Sequence, residues 1–262
     1  MSDIADAHLK IGRANKHISD LRVAKFAFLS DDPCTVVGRY DYQQGHTSIR
    51  VDKFNAPPRE ISLVAGDALH NLRSALDLLA CALVKRNGYE PTSKVYFPIS
   101  DTLAKYESHS RSKVPGMSDA DKVAIDAFKP YQSGNDLLWV LHRLDIEDKH
   151  RVVSIPMIAV GTIGMHLTNE FIERELKKTA PPSGWGSVEP QTFWFDIPCQ
   201  PPTKVGDELV IVKWNCEGKE DIKIAFDIAI SEPVTMKRWP LVQTLEQMSE
   251  LVAGIVNSFE KT

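Results

Sequence analysis

The sequence predicts an α+β fold, and three observations carry that expectation. Apolar residues recur at helical spacing through most of residues 1–150. Between about residues 151 and 235 they give way to short runs rich in Val, Ile and Phe, separated by Pro/Gly turns. A one-sided apolar helix returns over 240–259. Helices and strands segregated in this way define α+β, here a helical layer packed with a mainly antiparallel sheet. The chain is read as a single domain over residues 1–262.

In chain order, residues 2–30 keep Ile4, Ala7, Ile11, Ala14, Ile18, Leu21 and Phe28 at a spacing of three and four, broken only by Lys25. Such a seam packs on another helix of the same chain or, as the lesser option, on a second copy. Asp31-Asp32-Pro33 stops it. Residues 35–42 and 46–54 flank Gln43-Gln44-Gly45 and read as a β-hairpin. Pro57-Pro58 leads into a long apolar helix over 59–86, which Asn87-Gly88 closes. Beyond it, Tyr96-Phe97-Pro98-Ile99 reads as a short strand, 102–108 and 118–128 as short helices, the second capped by Ser118, and 135–151 as a further helix. Strands are expected over 152–158, 191–197, 208–214 and 221–230, with a flexible loop over 178–190 and 171–178 open between helix and strand. Gly161-Thr162-Ile163-Gly164 lacks the lysine of a phosphate loop and reads as a turn between strands.

Bulk numbers narrow the function classes. Hydrophobic content of 43% with 25% charged residues is ordinary globular composition. A net charge of −4 gives no long-range attraction to nucleic acid or an anionic membrane, so any basic footprint is local. Cys34, Cys81, Cys199 and Cys216 are widely spaced, which argues against a zinc ribbon, a redox dithiol or a disulfide scaffold. No apolar signal segment and no membrane-length apolar run is present, so a cytoplasmic protein is expected.

The stretch Gly66-Asp67-Ala68-Leu69-His70-Asn71-Leu72-Arg73-Ser74-Ala75-Leu76-Asp77 organises the chain. Leu69, Leu72, Ala75, Leu76, Leu79, Ala82 and Leu83 sweep out one buried arc. Asp67, His70, Ser74 and Asp77 gather on a narrower stripe opposite, with Asn71 and Arg73 at its margins. These side chains offer directional hydrogen bonds rather than the Lys/Glu pairs of a solvated face. The stripe is either satisfied by neighbouring elements or lines a site. In the 135–151 helix, Leu137, Val140, Leu141 and Leu144 take one face, while Trp139, Arg143, Ile146 and His150 share another. A guanidinium holding an anionic oxygen and an imidazole near the C-terminal dipole suit phosphate chemistry. The two polar stripes are expected to meet, with ion pairs from Asp67 or Asp77 to Arg143, Lys149 or His150, because charges on apolar helices are costly to bury unless paired.

The phrases GDALHNLRSALD, YFPIS, KPYQ and LWVLHRLDIEDKHR, in that order, resemble an uncharacterised family of bacterial proteins whose helices carry LHNLRSALDHL-like and DKHR-like phrases. The resemblance covers roughly residues 59–155. The Arg143-to-His150 spacing is also similar to the R-x(4–6)-H signature of HEPN proteins, many of them metal-independent dimeric ribonucleases. That resemblance implies Arg143 and His150 as a catalytic pair, although Leu144 stands where HEPN proteins usually carry a polar residue.

A metal reading competes, since Asp67 with His70 and Glu147 with His150 each set a carboxylate and an imidazole on adjacent turns. Asp77, Asp126 and Asp145 are the further carboxylates to hand, but no spacing selects them, and no metal or cofactor is expected. His8, His17, His46, His109 and His166 are isolated and read as surface or locally bonded residues. Arg50, Lys53, Lys149 and Arg151 form a candidate basic rim, although no aromatics interleave it. The expected function is a non-catalytic interaction or scaffold protein with a buried polar helix–helix network. The alternative is a HEPN-like metal-independent ribonuclease or nucleotide-handling protein using Arg143 and His150. In that reading His70, Asn71, Arg73, Asp77, His142, Asp145 and Lys149 touch substrate or orient the pair. The candidate partners are a second copy of the chain and, in the alternative reading, RNA or a nucleotide, with no membrane.

Overall fold

A computed structural model describes residues 4–110, 113–167, 191–196, 201–213, 222–230 and 239–260. The readings for 171–190, Cys199, Cys216 and the His109 and His166 side chains lie outside the described residues. The chain is α+β, with antiparallel strand pairing. It gathers into two compact units: Met1–Ala24 with Arg59–Ser154 and Ile230–Thr262, and Lys25–Pro58 with Ile155–Ala229. Among the described residues no helix is long and apolar enough to cross a membrane.

The first unit is helical. Helix α1 spans Ile4–Ser30, and its Ile4, Ala7, Ile11, Ala14, Ile18 and Leu21 are buried as the seam requires. The C-terminal helix, here α6, spans Leu241–Ser258 and buries Leu241, Leu245, Met248, Val252 and Ile255. The two terminal helices run antiparallel side by side, joined by Ser249 Oγ to Asn15 Oδ1 at 2.6 Å, His8 to Glu260 at 2.7 Å, and an Arg22–Glu246 pair. Helix α2 spans Arg59–Arg86 and carries the unit's core, with Leu69, Leu72, Leu76, Leu79 and Leu83 fully buried. Each such side chain contributes about 1.5–3 kcal/mol relative to exposure. Its end is a Schellman motif: Gly88 at φ +82 returns its N–H to Lys85 O, and Tyr89 N–H reaches Val84 O.

Helix α3 is the single turn Leu103–Lys105, capped by Thr102 and continued by a π-helical turn over Tyr106–Ser110. Helix α4 (Asp119–Asp126) starts at Ser118, whose Oγ accepts the Asp121 N–H as expected. Helix α5 spans Asp136–Asp148 with Asn135 as N-cap. It stops short of the expected Arg151, the His150 N–H taking the i−3 carbonyl of Glu147 at 2.9 Å in place of the i−4 carbonyl that would continue the α ladder.

Tyr96–Ile99 does not form the expected strand. Pro98 has no N–H to give, and the backbone groups of Phe97 are claimed by α2 side chains: Asp77 Oδ1 accepts its N–H at 2.9 Å and Arg73 donates to its carbonyl at 2.9 Å. The segment is instead a buried strap across α2, with Phe97, Pro98 and Ile99 inside.

The second unit holds the hairpin β1 (Cys34–Asp41) and β2 (His46–Phe54), with β5 (Glu208–Val212) antiparallel to β2. Gly45 at φ +67 sits in the connecting turn, where Asp41 Oδ1 also accepts the Gln43 and Gln44 N–H groups. Val36, Ile49, Val51, Leu209, Val212 and Ile222 form its core. Strand β3 (Met157–Leu167) lies between β4 (Gln191–Asp196) and β6 (Ile222–Ile230), antiparallel to both. The expected strand over 152–158 begins only at Met157, since Pro156 cannot donate to a ladder. Gly161–Gly164, expected as a turn, lies within β3, where the pairing with β6 shifts register between Ala159 and Ile163. Glycine inside a strand marks such irregularity.

Candidate functional site

The polar stripe of α2 faces α5, as the cost of burying unpaired charge demands, but its partners differ from the expected ones. Arg73 is buried, at 6% exposure, and its guanidinium is committed on three sides. It donates to Asp77 Oδ1 at 2.7 Å, to the Phe97 carbonyl at 2.9 Å and to His142 Nδ1 at 3.3 Å. One helical turn toward the α2 N-terminus, His70 Nδ1 lies 3.1 Å from Asp145 Oδ1, while Ser74 Oγ is 3.4 Å from the other ring nitrogen. Asp145 is 2% exposed and also receives Lys149 Nζ at 2.6 Å. Asp77 therefore pairs within its own helix, and α5 answers α2 with His142 and Asp145 rather than with Arg143, Lys149 or His150.

Burial pushes the Asp77 carboxyl above the usual carboxylate range, against the opposing pull of Arg73. Burial, with the neighbouring Arg73 charge, depresses His142 to about 4, so its imidazole is neutral at neutral pH. Because Arg73 can only donate, Nδ1 of that neutral ring is the acceptor and Nε2 carries the proton. Asp148 rests against α2 at Gly66, where a Cβ would lie 2.6 Å from its carboxyl carbon. Burial first, then the Asp145 and Asp67 charges, raises the Asp148 carboxyl.

Two adjoining clefts open beside this network, of about 320 and 370 Å³. They share Ile99, Lys113, His142 and Ile146 and so form one groove along α5. Arg73, Asp77, Asp145 and Lys149 border one end, while Asp101, Lys105 and Arg143 border the other. Lys105 Nζ sits 3.0 Å from Asp101, which also accepts from the Trp139 indole at 3.3 Å. The hydrogen bond from Lys105 holds the Asp101 carboxyl below the usual range, with Trp139 and the Arg143 charge acting in the same direction. Lys113 Nζ stands 5.9 Å from the centre of the Tyr96 ring.

The expected site residues thus separate. Arg73, Asp77 and His142 form one bonded set, and His70, Asp145 and Lys149 form a second beside it. Asn71 faces α1, accepting from Lys10 at 3.3 Å and donating to Asp67 O at 2.7 Å. Arg143 lines the groove, whereas His150 is exposed on the turn after α5 and lines neither cleft. Glu147 pairs with Arg151 rather than converging with His150 on another acidic group. Among the described residues no group of three or more His, Cys, Asp or Glu side chains is arranged to hold a metal ion. Tyr96, Asp101, Lys105 and Lys113 were not read as site residues from the sequence. They lie on irregular segments or short helices, where no periodicity marks a face; only the FPI phrase pointed near them. No known protein family, curated protein or solved structure matches the chain.

Proposed function

We propose that the protein is a non-catalytic binding or interaction protein whose α2–α5 polar network is a structural clasp. The observation that carries this reading is the commitment of all three Arg73 nitrogens to Asp77, the Phe97 carbonyl and His142, beside an Asp145 already held by His70 and Lys149. A catalytic acid or base needs a titration range near working pH and an unspent hydrogen-bonding site facing substrate. His142, depressed to about 4, is a poor base at neutral pH. A clasp of this kind fixes the register of two apolar helices. It also ties the Phe97 strap to them through both backbone groups.

The competing ribonuclease reading rests on Arg143 and His150, and it requires both to reach one phosphate. The experiment is a cleavage screen of purified protein against short RNAs and nucleotides, with and without EDTA. The expected outcome is no cleavage in either condition. Cleavage that His150→Ala and Arg143→Ala each abolish, in proteins that stay folded, overturns the clasp reading.

A further inference from the structure

The groove along α5 has a charge that the rest of the chain does not. Arg73, Lys105, Lys113, Arg143 and Lys149 border it against Asp77, Asp101 and Asp145, in a chain whose net charge is −4. Each of those carboxylates is already held by a cation: Asp77 by Arg73, Asp101 by Lys105 and Asp145 by Lys149. That pairing leaves Lys113 and Arg143 in excess, with no carboxylate at hydrogen-bonding distance among the described residues. Both border the stretch of groove that also holds His142. The apolar lining there is Ile99 and Ile146, and Tyr96 borders the adjoining cleft. Excess positive charge in a concave wall with low-dielectric sides concentrates anions. A volume of this order matches small-molecule sites, which combine apolar walls with a few placed polar groups.

We infer that this groove is a binding site for a small phosphate monoester with an apolar or aromatic body, its phosphate held by Lys113 and Arg143 and its body resting on Ile99 and Ile146. Arg143 supplies the planar fork that suits phosphate oxygens, and Lys113 supplies a compact charge. The His142 ring keeps a proton on Nε2, because Arg73 occupies Nδ1, and offers one donor without adding charge. The proposal rests on the non-catalytic reading above, since it has the ester bound and released unchanged.

The test is titration of the full chain with phenyl phosphate, inorganic phosphate and phenol, followed by calorimetry and phosphorus NMR. Wild type should bind phenyl phosphate several-fold more tightly than inorganic phosphate or phenol. Lys113→Gln/Arg143→Gln should weaken phenyl phosphate at least tenfold, a loss of about 1.4 kcal/mol. Lys16→Gln, on the exposed face of α1, should leave it unchanged. Lys113 is exposed, so Lys113→Gln alone keeps the question answerable if the double variant folds poorly. No binding at millimolar ligand overturns the site, as does equal binding by the variants or by phenol. A short RNA that binds far more tightly than phenyl phosphate overturns it in favour of a macromolecular anion. Release of inorganic phosphate in the NMR samples would instead overturn the non-catalytic reading, while the affinities still decide the site.

Discussion

Arg73 Nε on α2 donates to His142 Nδ1 on α5 across 3.3 Å, while the other arms of the same guanidinium hold Asp77 and the Phe97 carbonyl. One buried side chain thereby joins two helices and a strap that have no regular hydrogen bonding to each other. Arg73 is buried but the Asp77 side chain is 35% exposed, so removing the guanidinium strands a partly solvated carboxylate and a buried carbonyl, at a cost of about 1–3 kcal/mol. Arg73→Ala should lose stability of that order in urea unfolding, because Asp77 and the Phe97 carbonyl lose their partner together. Arg73→Lys should fall between, since an ammonium cannot reproduce the fork. A loss below about 0.5 kcal/mol, the range of ordinary surface changes, would show that the clasp does not hold the helices.

The depressed titration of His142 makes stability depend on pH. Its folded value of about 4 lies below its ordinary 6.5, so the unfolded chain binds the proton more readily. The contribution is complete above pH 6.5 and declines as pH falls towards about 4. The full loss is on the order of 3 kcal/mol. Asp77 and Asp148, both raised by burial, act in the opposite sense and stabilise the folded state as they protonate. Denaturation midpoints of wild type and His142→Gln, compared across pH 7 to 4, isolate the histidine. The variant should show the shallower decline, and parallel curves would assign the acid sensitivity elsewhere.

Gly66 and Asp148 test how closely α5 approaches α2. Within a helix, Gly→Ala ordinarily stabilises by about 0.5–1 kcal/mol. At Gly66 the added methyl collides with the Asp148 carboxyl, which lies between the two helices. Gly66→Ala should therefore destabilise by about 1 kcal/mol. Made together with Asp148→Ala, it should recover the ordinary gain. The measurement is a double-mutant cycle by chemical denaturation, and additivity of the two changes would remove the steric explanation.

The parts legible from sequence are those where one-dimensional periodicity meets a three-dimensional need. Helix α2 runs over the expected 59–86, because the prolines before Arg59, the apolar arc and Asn87-Gly88 agree. The stripe on its other face was expected to meet α5, and His70 and Arg73 do so. Which side chains would answer them was not legible. Asp145 was read as a possible metal ligand and His142 as a supporting residue, since helical phase alone does not give the rotation of one helix about another. Phe97 was hidden for another reason: its backbone is taken by side chains far away in sequence, which no local strand signal encodes. The groove's Lys113 and Tyr96 come from irregular segments that periodicity does not address.

The arrangement at Asp145 separates a clasp from the Arg143/His150 reading. Asp145 is 2% exposed and sits beside two partners, His70 and Lys149, whose side chains are 53% and 54% exposed. Removing either partner leaves the buried carboxylate one bond, and each single change should cost about 1 kcal/mol. Removing both strands the carboxylate, so His70→Ala/Lys149→Ala should cost about 3 kcal/mol, more than the sum. His150 lies two residues past the end of α5 and is exposed, so His150→Ala should stay within about 0.5 kcal/mol of wild type. Thermal and urea unfolding of the four variants at pH 7 check this, the double variant's loss exceeding the sum of the two single losses. If His150→Ala unfolds as readily as the double variant, the histidine after α5, rather than Asp145, is the member of the network on which the helix pair depends.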